Sequence, residues 1–190
     1  MFNKKQYLLI SIVLFCAYFM TSPAFSLESV YLANNIHYQA KNSNANWASY
    51  ANYTDPGAGH HLLPVNTKVS IGIKTTFKGR GILITVHEDG KKIHMEYNKR
   101  NMNMSMDEYI KTITSPEKIS LKKISTIDKK GIKEGKAYVG MTKDGVRMAL
   151  GFPAQHKTPS LEDNAWTYWR NRFKTTVISF DGKGKVSSIR

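Results

Sequence analysis

Three groups of side chains in this chain of 190 residues have types and spacing that could do chemistry. Met102, Met104 and Met106 alternate with polar residues a few positions after His94 and Met95. Thioethers are soft ligands that suit Cu(I), so three at spacing two could face a metal from one side of an extended segment. Methionine also adapts to irregular gaps, and packing where a sheet meets a helix is the expected role. His60 and His61 stand in a Gly-rich stretch with imidazoles suited to a metal, but no second element offers ligand spacing, so an exposed loop is expected. The third group is aromatic and cationic: Trp166, Tyr168, Trp169, Arg170, Arg172 and Phe173, with Trp47, Tyr50 and Tyr53 far upstream. Alternate side chains of a strand point to opposite faces, so Trp166 and Tyr168 share one face and Trp169 takes the other. There Trp169 is either buried under the first half of the chain or exposed beside Arg170 and Arg172. Aromatic residues and arginine are the types most often found as binding hot spots. The candidate binding residues are therefore Trp169, Arg170 and Arg172, with Trp47, Tyr50 and Tyr53 lining a groove on a long loop.

Catalytic patterns are missing from the sequence. There is no G-x-S-x-G elbow, no H-E-x-x-H helix and no phosphate-cradling glycine loop. The carboxylates are scattered: Glu88-Asp89 fits a hairpin, Asp107-Glu108 a helix start, Glu162-Asp163 a loop and Asp181 a turn. Glu96 could still pair in space with a distant Asp, because acid and base need not be sequence neighbours. Nothing points to a reaction, and a protein without enzymatic activity, cofactor or metal is expected.

Residues 1–26 read as a secretory signal: Lys4 and Lys5, an apolar run from 7 to 20, then Ala24-Phe25-Ser26 as a small-x-small cleavage site. The run of 14 residues is short of the roughly 20 that cross a bilayer as a helix. Cleavage after Ser26 and a periplasmic location follow as expectations; an uncleaved anchor is the competing reading. The single cysteine, Cys16, lies inside the apolar run, so the mature chain must be stable without disulfides. Lys plus Arg total 28 against 14 acidic residues, a formal charge of +14, and removing Lys4 and Lys5 leaves +12. Such a surface favours anionic partners such as lipid head groups, cell-wall polymer or acidic protein faces. Nucleic acid is set aside, since the chain is read as exported and carries no nucleic-acid motif.

The elements that must position these residues fall into two halves. Between 27 and 100 the sequence favours strands: Val69, Ile71 and Ile73 alternate, Ile82, Ile84 and Val86 alternate, and Ile93, Met95 and Tyr97 follow after Asp89-Gly90. Asp-Gly between two such runs is a strong hairpin signal, and several short strands suggest a small barrel or rolled sheet. The stretch 39–61, with Asn42, Asn44, Asn46 and Asn52, reads as flexible turns or a long loop. Ser105 followed by Glu108 forms a capping box for a helix through Ile113. Ser115-Pro116-Glu117 repeats the start signal, so a second helix is expected with Ile119, Ile124 and Ile127 as its apolar stripe and Lys122, Lys123, Lys129 and Lys130 outside it.

Residues 140–153, G-M-T-K-D-G-V-R-M-A-L-G-F-P, organise the last part. Thr142 can cap a helix, Val146, Ala149 and Leu150 share a face, and Gly151 and Pro153 stop it. Gly145 is unexpected inside a helix, where Gly costs about 1 kcal/mol relative to Ala. Alternating strands over 166–169, 175–180 and the final residues, with a D-G-K-G turn, make a sheet. The pattern Gly140, Met141, Thr142, Val146, Ala149, Leu150, Gly151, Pro153, Trp166, Tyr168, Phe180 and Gly182 or Gly184 resembles the SmpA/OmlA/BamE family, accessory proteins of the machinery that inserts β-barrels into the bacterial outer membrane. The segment L-P-V-N-T-K-V, 63–69, is similar to the strand-entry turn of bacterial SH-three-like barrels. BamE-like proteins are acylated on a cysteine that follows a small residue; Cys16 follows Phe15, so lipoprotein anchoring is not expected here.

The expected fold is α+β: a signal peptide (1–26), a strand-rich small barrel or rolled sheet (27–100), a helical connection (101–125) and a BamE-like domain of helices packed on a three-stranded antiparallel sheet (126–190). The function that the resemblance implies is that of a non-enzymatic cell-envelope protein binding envelope or outer-membrane proteins, similar to an assembly accessory factor. The alternative is a module recognising anionic cell-wall polymer or lipid head groups through a basic first domain.

Overall fold

The computed structural model describes residues 26–40, 46–76 and 79–190. The expected signal segment, with Cys16, lies outside them except for Ser26. Eight strands form one curled sheet: β1 Ser26–Leu32, β2 Ile36–Ala40, β3 Asn46–Ala48, β4 His60–Leu63, β5 Lys68–Thr76, β6 Gly79–Val86, β7 Lys92–Glu96 and β8 Thr114–Ser115, in the order β4-β2-β3-β7-β6-β5-β1-β8. All pairings are antiparallel except β3 with β7. The curl follows from connectivity. β1 and β2 stand seventh and second in the sheet yet are joined by only residues 33–35, so the sheet must roll to bring its ends together.

The alternation read in the sequence decides which face turns inward. Val69, Ile71, Ile82, Ile84, Ile93 and Met95 are all buried, and the turn after β6 places Gly90 at φ 68°, a left-handed conformation that glycine adopts without steric cost. The helices α1 Lys99–Met102 and α2 Met106–Ile113 close the same core with Met102, Tyr109, Ile110 and Ile113. Ser105 caps α2 as a full capping box, its Oγ accepting from Glu108 N at 3.2 Å while Glu108 Oε2 accepts from Ser105 N at 2.7 Å. Burial of each large α2 side chain is worth about 1.5–3 kcal/mol, so α2 belongs energetically to the first lobe rather than to a linker. Met102 is wholly buried and Met104 and Met106 pack against this core, which is the packing role expected of them.

The second expected helix differs. Residues 116–125 are not helical; Ser115 lies in β8 and its hydroxyl closes a local turn with Glu117. Asn66 supplies the reason: its side chain accepts from Ile119 N at 2.7 Å and donates to Ile119 O at 2.9 Å, tying that residue's backbone to a turn of the first lobe. The helix starts only at α3, Thr126–Glu134, capped by Ser125.

The second lobe packs α3 and α4, Lys143–Leu150, on a separate three-stranded antiparallel sheet of β9 Ala165–Trp169, β10 Thr175–Phe180 and β11 Val186–Ile189. Thr142 caps α4 through Gly145 N at 3.0 Å, and Val146, Ala149 and Leu150 are buried with Trp166, Tyr168 and Ile178. The odd glycine now has a cause. Asp128, 1% exposed, accepts from Ser125 Oγ, Thr142 N and Thr142 Oγ1 at 2.7, 2.9 and 3.2 Å, joining the caps of both helices. A Cβ on Gly145 would meet Asp128 Oδ1 at 2.0 Å. The propensity cost is the condition for this buried carboxylate.

No helix among the described residues is long and apolar enough to cross a membrane.

Candidate functional site

The two lobes meet along residues 34–37 and 49–55. Where they meet, Asn35, His37 and Asn52 are buried against helix ends of the second lobe. Of the stretch 39–61, read as turns or a long loop, residues 41–45 with Asn42 and Asn44 lie outside the described residues, Asn46–Ala48 form a strand, and 49–59 are turns and irregular backbone. Asn35 Nδ2 donates to Ile132 O at 2.7 Å and Ala149 O at 3.1 Å, while its Oδ1 accepts from Val65 N at 2.8 Å. Asn52, in a left-handed conformation at φ 47°, donates to Leu150 O and accepts from His37 N at 3.1 Å. His37 Nε2 lies 3.1 Å from Ala149 O. A carbonyl only accepts, so Nε2 carries the proton, and Nδ1 of the neutral ring accepts from His60 Nε2 at 3.0 Å. Burial pushes the His37 pKa down to about 4, against the opposing hydrogen bond to Ala149 and with a smaller lowering from His60. Helix C-termini leave carbonyls without intrahelical partners; this seam supplies them with partners from the other lobe.

His60 and His61 are exposed, as expected, but they open strand β4 rather than standing in a loop, and they stack on His37 and Tyr38 with centroids 5.2 and 5.4 Å apart. Among the described residues no group of three His, Cys, Asp or Glu is placed to hold a metal ion.

Beside the seam opens a cavity of about 490 Å³ whose walls include His37, Trp47 and Tyr53 from the first lobe, Glu96 at the end of β7, and Arg172 and Phe173 from the β9–β10 turn. Trp47, in β3, stacks on His94 at 6.5 Å across the sheet. Burial pushes the Tyr53 phenol above its usual value, a Ser49 hydrogen bond opposes that, and both Glu96 and Arg172 act on it through space. Phe173 is 77% exposed, and the Arg172 guanidinium lies 4.4 Å from its ring centroid. The cavity therefore offers aromatic surface from both lobes, one carboxylate and one guanidinium.

The six residues singled out in the sequence divide three ways. Trp47, Tyr53 and Arg172 share the cavity. Trp169 is half-buried between the lobes, stacked on His156 at 6.0 Å, with Tyr50 tilted against the other side of that imidazole at 6.4 Å. Tyr50 is further fixed by Asn101 Nδ2 at 2.6 Å. Trp169 thus falls between the two fates foreseen for it, while Trp166 and Tyr168 cover α4 as alternation requires. Arg170 is paired with Asp55 at 2.6 Å and faces a separate cavity beside His60 and Glu134. The backbone joins there as well, Thr54 N and Asp55 N donating to Trp169 O and Arg170 O at 3.0 and 2.9 Å, which covers the open edge of β9.

His37, Glu96 and Phe173 were not legible as cavity residues. His37 lies in a strand with no local signal, and Phe173 reads as one more aromatic of its strand until the turn projects it outward. No family model, no curated protein and no solved structure matches this chain.

Proposed function

We propose that the protein is a non-enzymatic component of the cell envelope that binds other proteins, in a role similar to that of an outer-membrane assembly accessory factor, with the interlobe cavity as its binding site. The observation that carries the reading is the convergence of Trp47 and Tyr53 from one lobe with Arg172 and Phe173 from the other around one open cavity. Large rigid aromatics and an arginine at a half-exposed concavity are the usual anchors of a protein interface. A non-catalytic role is supported by the chemistry of the walls: the only carboxylate there is Glu96, and the His37 imidazole has both nitrogens engaged. The accessory-factor role rests on the resemblance of the last third of the chain, from about Ile124, to the BamE-like pattern. It is supported by the capped helix those residues form on a three-stranded sheet.

The test is in-cell photo-crosslinking from position Phe173, with the captured species identified by mass spectrometry and the mature N-terminus sequenced in the same preparation. Recovery of outer-membrane assembly components on a chain beginning at Leu27 supports the reading. Capture of wall polymer or lipid alone, or a chain retained in the cytoplasm, sinks it.

A further inference from the structure

The excess positive charge is not spread evenly along the chain, and its densest run lies on the second lobe, outside the interlobe cavity. Residues 122–136 contain Lys122, Lys123, Lys129, Lys130, Lys133 and Lys136, all exposed. Of the two acids in the stretch one is withdrawn from this face and the other, Glu134, stays exposed at its C-terminal end, one turn after Lys130. Asp128 is buried on the helix caps, and Glu134 accepts from the Tyr138 hydroxyl. The inward face of α3 is taken by Asp128, Gly131 and Ile132, so Lys129, Lys130 and Lys133 look outward. Lys129 and Lys133 are one turn apart, Lys129 Nζ reaches Lys122 O at 3.4 Å, and Lys130 Nζ sits 4.5 Å over the Tyr138 ring. Among the described residues none of the six makes an ion pair.

We infer that the outward face of α3, with the turn before it, is a docking track for a phosphate-bearing polymer chain, independent of the interlobe cavity. Charge complementarity selects an anion. The cations here are all lysines, with no arginine from 116 to 146. The planar fork with which arginine grips carboxylate and phosphate alike is missing, and lysine binds as a point charge, so a ligand here is held by charge density, which is high in a chain of phosphates. A run of ammonium groups along a helix and its entry turn fits a chain of closely spaced phosphates, whose counterions are released on binding. A membrane surface is less well served, since Val139 is the one large apolar side chain exposed beside the track.

The test uses the full chain with inorganic polyphosphate as probe, titrated over a series of salt concentrations. Polyglutamate and vesicles of phosphatidylglycerol and phosphatidylcholine are run beside it. The variant carries Lys129→Glu, Lys130→Glu and Lys133→Glu. Its control carries Lys74→Glu, Lys92→Glu and Lys111→Glu, exposed positions on the first lobe that give the same change in net charge. Polyphosphate affinity should fall about a hundredfold in the α3 variant and the slope of log K against log salt should flatten by about 2, as expected for three lost phosphate contacts on a flexible chain. The control should change less than about threefold. Equal losses in the two variants would reduce the effect to net charge and overturn the proposal. So would polyglutamate binding as tightly as polyphosphate, or face-dependent binding to the vesicles without binding to the polymer.

Discussion

The seam and the cavity both draw side chains from the part of the chain between Asn35 and Tyr53, and they use them in opposite ways. In the seam, Asn35, His37 and Asn52 are almost fully buried and commit their polar groups to backbone carbonyls at the ends of α3 and α4. In the cavity, Trp47, Tyr53, Arg172 and Phe173 stay partly open. A buried polar group stripped of its partner costs the full desolvation of what remains, whereas a half-exposed aromatic at a groove can be removed with little effect on folding. The first arrangement fixes the relation of the lobes; the second leaves surface for something else. What separates them is whether a helix end lies within reach.

The strongest way to break the comparison is at Asn35. Asn35→Ala leaves Val65 N without its partner and takes one of two donors from Ile132 O, which keeps Gly135 N at 3.4 Å, and from Ala149 O, which keeps His37 Nε2 at 3.1 Å. One bare buried group and two lost hydrogen bonds should lower stability by about 2–4 kcal/mol in urea unfolding. A loss below 1 kcal/mol would mean that water enters the seam and the lobes are not rigidly joined.

Acid probes the same seam more gently. The His37 pKa is lowered from 6.5 to about 4 in the folded protein, so as pH falls the unfolded chain takes up this proton first. The stability difference is zero above the unfolded value, grows as pH drops from 6.5 to 4, and is constant below that. It amounts to about 3 kcal/mol of lost stability over the window. Burial pushes His60 in the same direction, against an opposing attraction from Asp55. Urea melts at several pH values should show the slope in the parent protein and its loss in His37→Gln; a slope that survives the substitution would assign it elsewhere.

The smallest effect on folding is expected in the cavity. Phe173→Ala should change stability by less than about 0.5 kcal/mol, in keeping with a surface position. It should nevertheless reduce capture of the protein partner at least tenfold, measured by pull-down from the envelope fraction. A stability loss above 1 kcal/mol would place Phe173 with the seam instead and erase the distinction.

How much of this was legible varies by region for physical reasons. Strands β5 to β7 were readable because their burial is one-sided, so Val69, Ile71, Ile82, Ile84, Ile93 and Met95 mark every second position. Helix α4 was readable because its stop and start are local chemistry, Thr142 at one end and Gly151 at the other. The helix expected after Ser115 failed because Asn66, about fifty residues earlier, grips Ile119. Three of the six candidate binding residues did come together, but nothing local could tell Trp47 and Tyr53 from Tyr50, which Asn101 and His156 hold away from the cavity.

By itself, then, the sequence determined what depends on near neighbours: the strand periods, the helix caps, the mixed α+β character, and the supply of aromatic and basic side chains. Only the tertiary structure decided what those side chains face. Asn52 reads as a loop former until a helix end arrives to take its hydrogen bond. Gly145 reads as a defect until Asp128 fills the space a methyl would occupy. The lysines of α3 read as an ordinary solvated face until Asp128 is found turned inward on the helix caps. In each case the deciding contact lies with a partner 3 to 98 residues away, set by packing and invisible to local propensity.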